Sequence, residues 1–215
     1  MNTYISASIL GSDLSNLSSE IKKVEKSGID MIHFDVMDGV FVPNISFGVP
    51  VLESIKKCTN LIFDVHLMII EPFKFIKPFA EAGADIITFH AEANSNIIET
   101  IDLIHSFGIK AGLSIKPNTP LDTIVSYLEK LDMVLIMTVE PGFGGQGFIE
   151  ATLEKISELR KIVTEKSLKL DIQVDGGIND KTAELVKNAG ANNLVSGSYL
   201  FNAVDTVMAV SLLKN

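Results

Sequence analysis

Histidine and aspartate recur two residues apart at two places in this chain: His33 and Asp35 in "IHFDVM", and Asp64 and His66 in "FDVHLM". In an extended strand, residues two apart project from the same face. Each pair therefore sets an imidazole beside a carboxylate, in segments otherwise built from Ile, Phe, Val, Leu and Met. A carboxylate buried there costs on the order of several kcal/mol unless it is hydrogen-bonded, ion-paired or metal-bound. Imidazole with carboxylate suits zinc, iron(II), manganese or cobalt, and such a metal would offset the burial of Asp35. A lone inward histidine is ordinarily a hydrogen-bonded core residue. Two histidines and two aspartates on separate strand ends shift the reading toward a metal.

Three glycine stretches supply a second kind of chemistry: "PGFGGQGF" at Pro141–Phe148, "DGGI" at Asp175–Ile178 and "SGS" at Ser196–Ser198. Glycine lets backbone N–H groups approach an anion closely, and a following helix start adds its dipole. A metal, carboxylates on two sides and a phosphate anchor together suit proton abstraction next to a carbonyl. The long loop at Pro141–Phe148 also reads as a lid. Asp64 is open between ligand and support for a ligand, and His90 is open between lining the site and packing. Asp38 in "MDG" reads as a turn residue and His105 as a surface residue. No Ser-His-Asp or Cys-His arrangement stands out, and Lys116 is the one lysine placed where a Schiff base could form.

These residues need elements to hold them. The phrases "KSGID", "EAGAD", "SFGIK" and "NAGAN" each follow a helix-like segment and precede a strand-like one, so Gly28, Gly83, Gly108 and Gly190 read as helix stops. Leu14, Leu17, Ile21 and Val24, and Ile97, Ile101 and Ile104, have helical spacing. "NTPLD" at Asn118–Asp122 predicts a helix start capped by Thr119, and "AVDTVMAVSLLK" a last helix. Short β-rich runs alternate with these: "YISAS", "MIHFDV", "LIFDVHL", "IITFH", "AGLSI", "MVLIMTV", "LDIQVD" and "NLVSG". Strand–helix alternation over eight units predicts a (β/α)8 TIM barrel, a parallel eight-stranded barrel with outer helices, as one domain over 1–215; a doubly wound open sheet is the alternative. In such a barrel the site lies at the C-terminal strand ends. Ser8, His33, Asp35, Asp64, His66, His90, Asp175 and Ser196-Gly197-Ser198 all fall late in their strands.

Bulk properties narrow the partners. The chain has 215 residues, 47% of them hydrophobic, with a net charge of -9. An acidic chain gains nothing from a polyanion, so nucleic acid is not expected as a partner. Cys58 is the single cysteine, which fits a reducing compartment. No signal-peptide pattern opens the sequence and no apolar run reaches membrane-spanning length, so a cytoplasmic location away from membranes is expected.

From "SASIL" at Ser6–Leu10 to "VSGSYLF" at Val195–Phe201, the stretches "HFDVMDGVFVPN", "DVHLM", "MTVEPGFGGQ" and "VDGGI" stand in an order and spacing that closely resembles the ribulose-phosphate 3-epimerase family. The resemblance implies a (β/α)8 enzyme of the pentose phosphate pathway interconverting D-ribulose 5-phosphate and D-xylulose 5-phosphate through an enediolate. It implies one divalent metal ion per subunit, zinc first and then iron(II), manganese or cobalt, on His33, Asp35, His66 and Asp175. Asp35 and Asp175 would be the acid–base pair, with Asp35 at the acceptor position. Ser8, His66, Met37, Met68, Met137 and Gly176 would contact substrate, and Gly142, Phe143, Gly144, Gly145, Gly177, Gly197 and Ser198 would hold its phosphate end. A homo-oligomer, dimer or hexamer, is implied as well. Val40 departs from the His or Arg common in the family, and Lys116 from the Asn of many bacterial members. A sister epimerase acting on a 6-phosphohexulose is the nearest alternative. The two histidines argue against a lyase of a related barrel, and the two aspartates against a non-catalytic sugar-phosphate binder.

Overall fold

The computed structural model describes residues 2–215. Eight strands run in parallel: β1 (Tyr4–Ser8), β2 (Met31–Met37), β3 (Ile62–Met68), β4 (Ile86–His90), β5 (Lys110–Ile115), β6 (Met133–Met137), β7 (Asp171–Asp175) and β8 (Asn193–Ser196). Each pairs with its successor, and β8 closes on β1 with Ile5 opposite Leu194, so the sheet is a closed barrel. The open doubly wound alternative is thereby excluded.

Helices α1 (Leu17–Lys26), α2 (Val49–Lys56), α3 (Ile76–Glu81), α4 (Ile97–Ser106), α5 (Thr152–Glu165), α6 (Asp180–Ala189), α7 (Ser198–Phe201) and α8 (Thr206–Lys214) wrap the barrel. Gly28, Gly83, Gly108 and Gly190 all have positive φ. At Gly190 the left-handed turn lets its N–H bond Lys187 O and the Ala191 N–H bond Val186 O, closing α6.

Two predicted helix starts differ. The β5–β6 crossover is two 3-10 segments, Leu121–Thr123 and Val125–Lys130, rather than an α-helix, and Thr119 does not cap it. The Thr119 hydroxyl donates instead to the Glu92 carboxylate, a stronger acceptor demand than a cap supplies. Leu121, Ile124, Leu128 and Leu131 still form the buried stripe. The last helix begins at Thr206, three residues later than its expected start, because the Asp205 side chain caps it by accepting from Met208 N–H. The four-residue α7 directly after β8 carried no periodic signal.

The strand alternation divides two environments. Ile32, Phe34 and Val36 of β2 face the helices and join the main apolar cluster with Phe63, Phe79 and Phe89. Their alternates, Met31, His33, Asp35 and Met37, face the barrel interior, whose floor is Met31, Ile86 and Met133. Above that floor the interior is polar, with Ser6, His33, Asp64, Thr88, Gln173 and Asn193 all buried. The helix-facing half thus supplies the hydrophobic stabilisation, and the interior is free to hold chemistry. No helix among the described residues is long and apolar enough to cross a membrane.

Candidate active site

At the C-terminal mouth, β2, β3 and β7 bring four side chains together. One ligating atom each from His33, Asp35, His66 and Asp175 lies within 4.8 Å of the others. His33 Nε2 is 3.2 Å from Asp35 Oδ1 and 3.8 Å from Asp175 Oδ2; His66 Nδ1 is 3.1 Å and 3.9 Å from the same two oxygens. The register makes this possible: Asp35 stands opposite His66, and His33 opposite Asp64, across the β2–β3 ladder.

Each imidazole is held from behind. His33 Nδ1 is 2.8 Å from Asp64 Oδ2, and that oxygen also accepts from Ser6 Oγ and Gln173 Nε2. Asp64 therefore lies behind His33 and outside the four-residue group. On the other side, His66 Nε2 meets His90 Nε2, so His90 is a buried support that does not line the cleft. Ser8 Oγ donates to Asp35 Oδ2 at 2.7 Å.

The electrostatics match a site made for positive charge. Burial favours neutral His33, but Asp35 and Asp64 on either side raise its pKa well above the ordinary histidine value. Burial likewise would raise Asp35, yet the charge on His33 and its contact with Asp35 Oδ1 hold it below the usual carboxylate range. Asp175 is pushed up to about 6, by burial and then by the charge on Asp35. Burial takes His90 down to about 4, against the pull of Glu92. A divalent cation fits these residues. His33 Nε2 is buried without a hydrogen-bond partner, aimed at two carboxylates. Two nitrogen and two oxygen donors suit a four-coordinate metal of the zinc type.

Above the four lies a cleft of about 880 Å³, a size suited to a small ligand. Ser8, Met37, Met68, Met137, Gly142, Phe143, Gly144, Gly145, Gly176, Gly177, Gly197 and Ser198 all line it, with Asp35 and Asp175. His33 and His66 sit behind the carboxylates and are absent from the lining. The lining contains no Lys or Arg, so an anion there would rest on polar groups and peptide N–H. The first amides of α6 are taken by the Asn179 side chain, which accepts from Lys181 and Thr182 N–H. Those two amides are therefore spent, and donors must come from the glycine turns and from the start of α7, which no side chain caps. Gly176 and Gly177 take φ of 119° and 69°, and a Cβ on Gly177 would fall 2.6 Å from Phe148 N.

Some residues around the site carried a readable signal and others did not. Glu92 lies two residues beyond His90, the same spacing as His33 and Asp35, and Gln173 lies two before Asp175. Gly11 gave no such signal: a Cβ there would lie 2.6 Å from Ser198 N. Asp38 does more than turn the chain, since it accepts from Val40, Phe41 and Ile70 N–H and ties the β2 and β3 loops together. His105 is on the surface, paired with Asp132, and Lys116 Nζ lies over the Phe41 ring. Val40 is largely exposed beside the mouth.

Fold and site together define a (β/α)8-barrel enzyme with a His/Asp centre beneath a glycine-lined cleft. The chain belongs to the ribulose-phosphate 3-epimerase family, whose model matches residues 4–201. It is 50% identical over 211 residues to the ribulose-phosphate 3-epimerase of Bacillus subtilis, covering 98% of this chain and 97% of that one. It is 47% identical to the chloroplastic ribulose-5-phosphate-3-epimerase of Arabidopsis thaliana, covering 98% and 75%. Among solved structures, KGPDC from Streptococcus mutans superposes with a TM-score of 0.75 at 15% identity, over 100% of this chain and 96% of that one. A 3-hexulose-6-phosphate synthase gives 0.71 at 17%, over 100% and 98%. These two likenesses concern the barrel alone.

Proposed function

We propose that this chain interconverts D-ribulose 5-phosphate and D-xylulose 5-phosphate by inverting C3. The observation that carries the reading is the placement of Asp35 and Asp175: two carboxylates from β2 and β7 converge on one point, at different acidities, beneath the cleft. Asp35, held ionised, accepts the C3 proton from one face. Asp175, which keeps its proton to higher pH, returns one on the other face, and the roles exchange in the reverse direction. Ser8 Oγ orients Asp35 through its hydrogen bond. Met37, Met68 and Met137 give the cleft polarisable apolar walls that keep water from the reacting carbon. The glycine turns after β6, β7 and β8 hold the phosphate end. His33, Asp35, His66 and Asp175 would hold a divalent cation, which when bound supplies a Lewis acid that polarises the sugar carbonyl and acidifies the neighbouring C–H. Zinc is our first choice, ahead of iron(II), manganese and cobalt. A homo-oligomer, which the family resemblance implies, and a cytoplasmic location, which the single cysteine fits, belong to the same proposal.

The test is incubation with D-ribulose 5-phosphate in deuterated water, following C3 by NMR with and without chelator. Deuterium at C3 accompanied by D-xylulose 5-phosphate, and lost on chelation, is the expected result. No product and no exchange in metal-loaded protein would overturn the reading.

A further inference from the structure

We infer that His90 and Glu92 form a relay that fixes which nitrogen of His66 carries its proton, leaving His66 Nδ1 bare for a cation. The inference rests on the metal-centred reading above. His66 and His90 face each other through Nε2 atoms 2.9 Å apart. Two neutral imidazoles in that contact need one N–H and one lone pair, so one ring must donate and the other accept. The direction is set further out. His90 Nδ1 is 3.2 Å from Glu92 Oε2, and an ionised carboxylate only accepts. His90 therefore carries its proton on Nδ1 and offers its Nε2 lone pair to His66. His66 must then be the Nε2–H donor, and its Nδ1 lone pair points at the site, 3.1 Å from Asp35 Oδ1.

The parts of the relay are fixed in place. His66 and His90 are fully buried, their ring centroids 5.0 Å apart. Phe41 covers His90 at 4.8 Å between centroids. Glu92 is anchored through its other oxygen: Oε1 accepts from Lys116 N–H at 2.8 Å and from the Thr119 hydroxyl. The loop carrying those donors is in turn held by Lys155 Nζ, which donates to the carbonyls of Lys116, Pro117 and Thr119. His33 reaches the same end by a shorter route, with Asp64 directly on its Nδ1. His90 and Glu92 are thus positioning residues, two steps long where Asp64 is one.

The anchoring of Oε1 makes an isosteric variant informative. In Glu92→Gln the amide oxygen must stay where Lys116 N–H donates, which puts the NH2 group against His90 Nδ1. His90 then has to protonate on Nε2 and donate toward His66, and the relay opposes a cation. Cobalt(II) dissociation constants should rise about 10–100-fold in this variant, while circular dichroism stays native. Proton–nitrogen correlation NMR should show His90 as Nδ1–H in the zinc-loaded wild type and as Nε2–H in metal-free Glu92→Gln. As a second arm, His90→Gln can still accept from His66 and donate to Glu92, so its affinity should stay within about threefold, whereas His90→Leu should lose as much as Glu92→Gln.

Wild-type His90 found as Nε2–H would overturn the relay. So would unchanged affinity in Glu92→Gln, weaker binding there with the His90 proton unmoved (a mere loss of charge), or equal losses in His90→Gln and His90→Leu. Wild-type protein that takes up no cobalt(II) or zinc would instead remove the metal reading on which the relay stands.

Discussion

The two sides of the barrel mouth are built by opposite means. On one side stand His33, Asp35 and His66 of β2 and β3, joined by Asp175 from the end of β7; here the working groups are side chains, and His33, Asp35 and His66 are each fixed by a second polar group, Asp64, Ser8 and His90. On the other side, the loops that follow β6, β7 and β8, the working surface is backbone, shaped by glycines at positive φ and open to solvent at Phe143, Gly144 and Gly145. The first side is charged and mostly buried; the second is more exposed and carries no cationic side chain. Chemistry that must position a proton needs the first kind of support. A phosphate held away from the reacting carbon can be recognised by peptide N–H alone.

If that division is right, damage to the charged side should remove turnover and metal together. Asp175→Asn keeps the shape but loses the proton donor and one anionic ligand. We expect kcat to fall by about 10²–10⁴-fold, with metal content reduced and native circular dichroism, measured by a coupled assay and metal analysis. A variant retaining near-normal kcat would break the two-carboxylate reading.

The same side should show its charge in acid. Burial opposes ionisation of Glu92, but hydrogen bonds from His90, Lys116 N–H and Thr119 override it and bring its pKa from 4.5 down to about 2. A depressed carboxylate pKa means the folded chain favours the ionised form, so the stabilisation is full above about pH 4.5 and fades as pH falls toward 2. Its size is on the order of 2–3 kcal/mol, as the side chain is mostly buried. Urea midpoints at pH 6, 4 and 3 should decline in the wild type and lose that part of the slope in Glu92→Gln. Parallel slopes would place the acid sensitivity elsewhere.

Damage to the glycine side should leave the metal alone. Gly145 sits at φ 73° with open space where a Cβ would go, and Asp tolerates that backbone better than most residues. Gly145→Asp places a carboxylate where we assign the phosphate. KM should rise about tenfold, about 1.4 kcal/mol, with kcat and metal content little changed. Loss of metal in this variant would mean that the two sides are not separate.

The same contrast explains what could be read from the chain. His33, Asp35, Asp64 and His66 announce themselves because alternation in a strand assigns each residue to one face, and charged residues in an apolar run demand a reason. The barrel was legible for the same cause, as eight apolar runs alternate with helical spacing. The glycine turns were legible as turns, but which amides stay free was not: Asn179 consumes those of α6. Thr119 misled because capping is a local rule, while its hydroxyl answers Glu92, 27 residues away. Gly11 was invisible because its need to be glycine comes from Ser198, on the far end of the chain.

A hydrogen bond between the loops after β2 and β6 offers the finest test of the division. Asn44 Nδ2, in the loop after β2, donates to the Gly142 carbonyl at 2.9 Å, in the loop after β6. Gly142 has φ 128°, and a Cβ on it would stand 3.3 Å from Val42 Cβ, so the loops already touch. Asn44→Ala removes about 1 kcal/mol of net hydrogen bonding and leaves the contact. The β6 loop should then close over substrate less often, raising KM by no more than about fivefold, with kcat and metal content unchanged. A fall in kcat instead would show that the loop after β2 transmits strain to Asp35, through Ser46 Oγ, which donates to Asp35 O and accepts from Met37 N–H. In that event the glycine side would be helping to place the carboxylate, and the division between the two sides would fail at this bond.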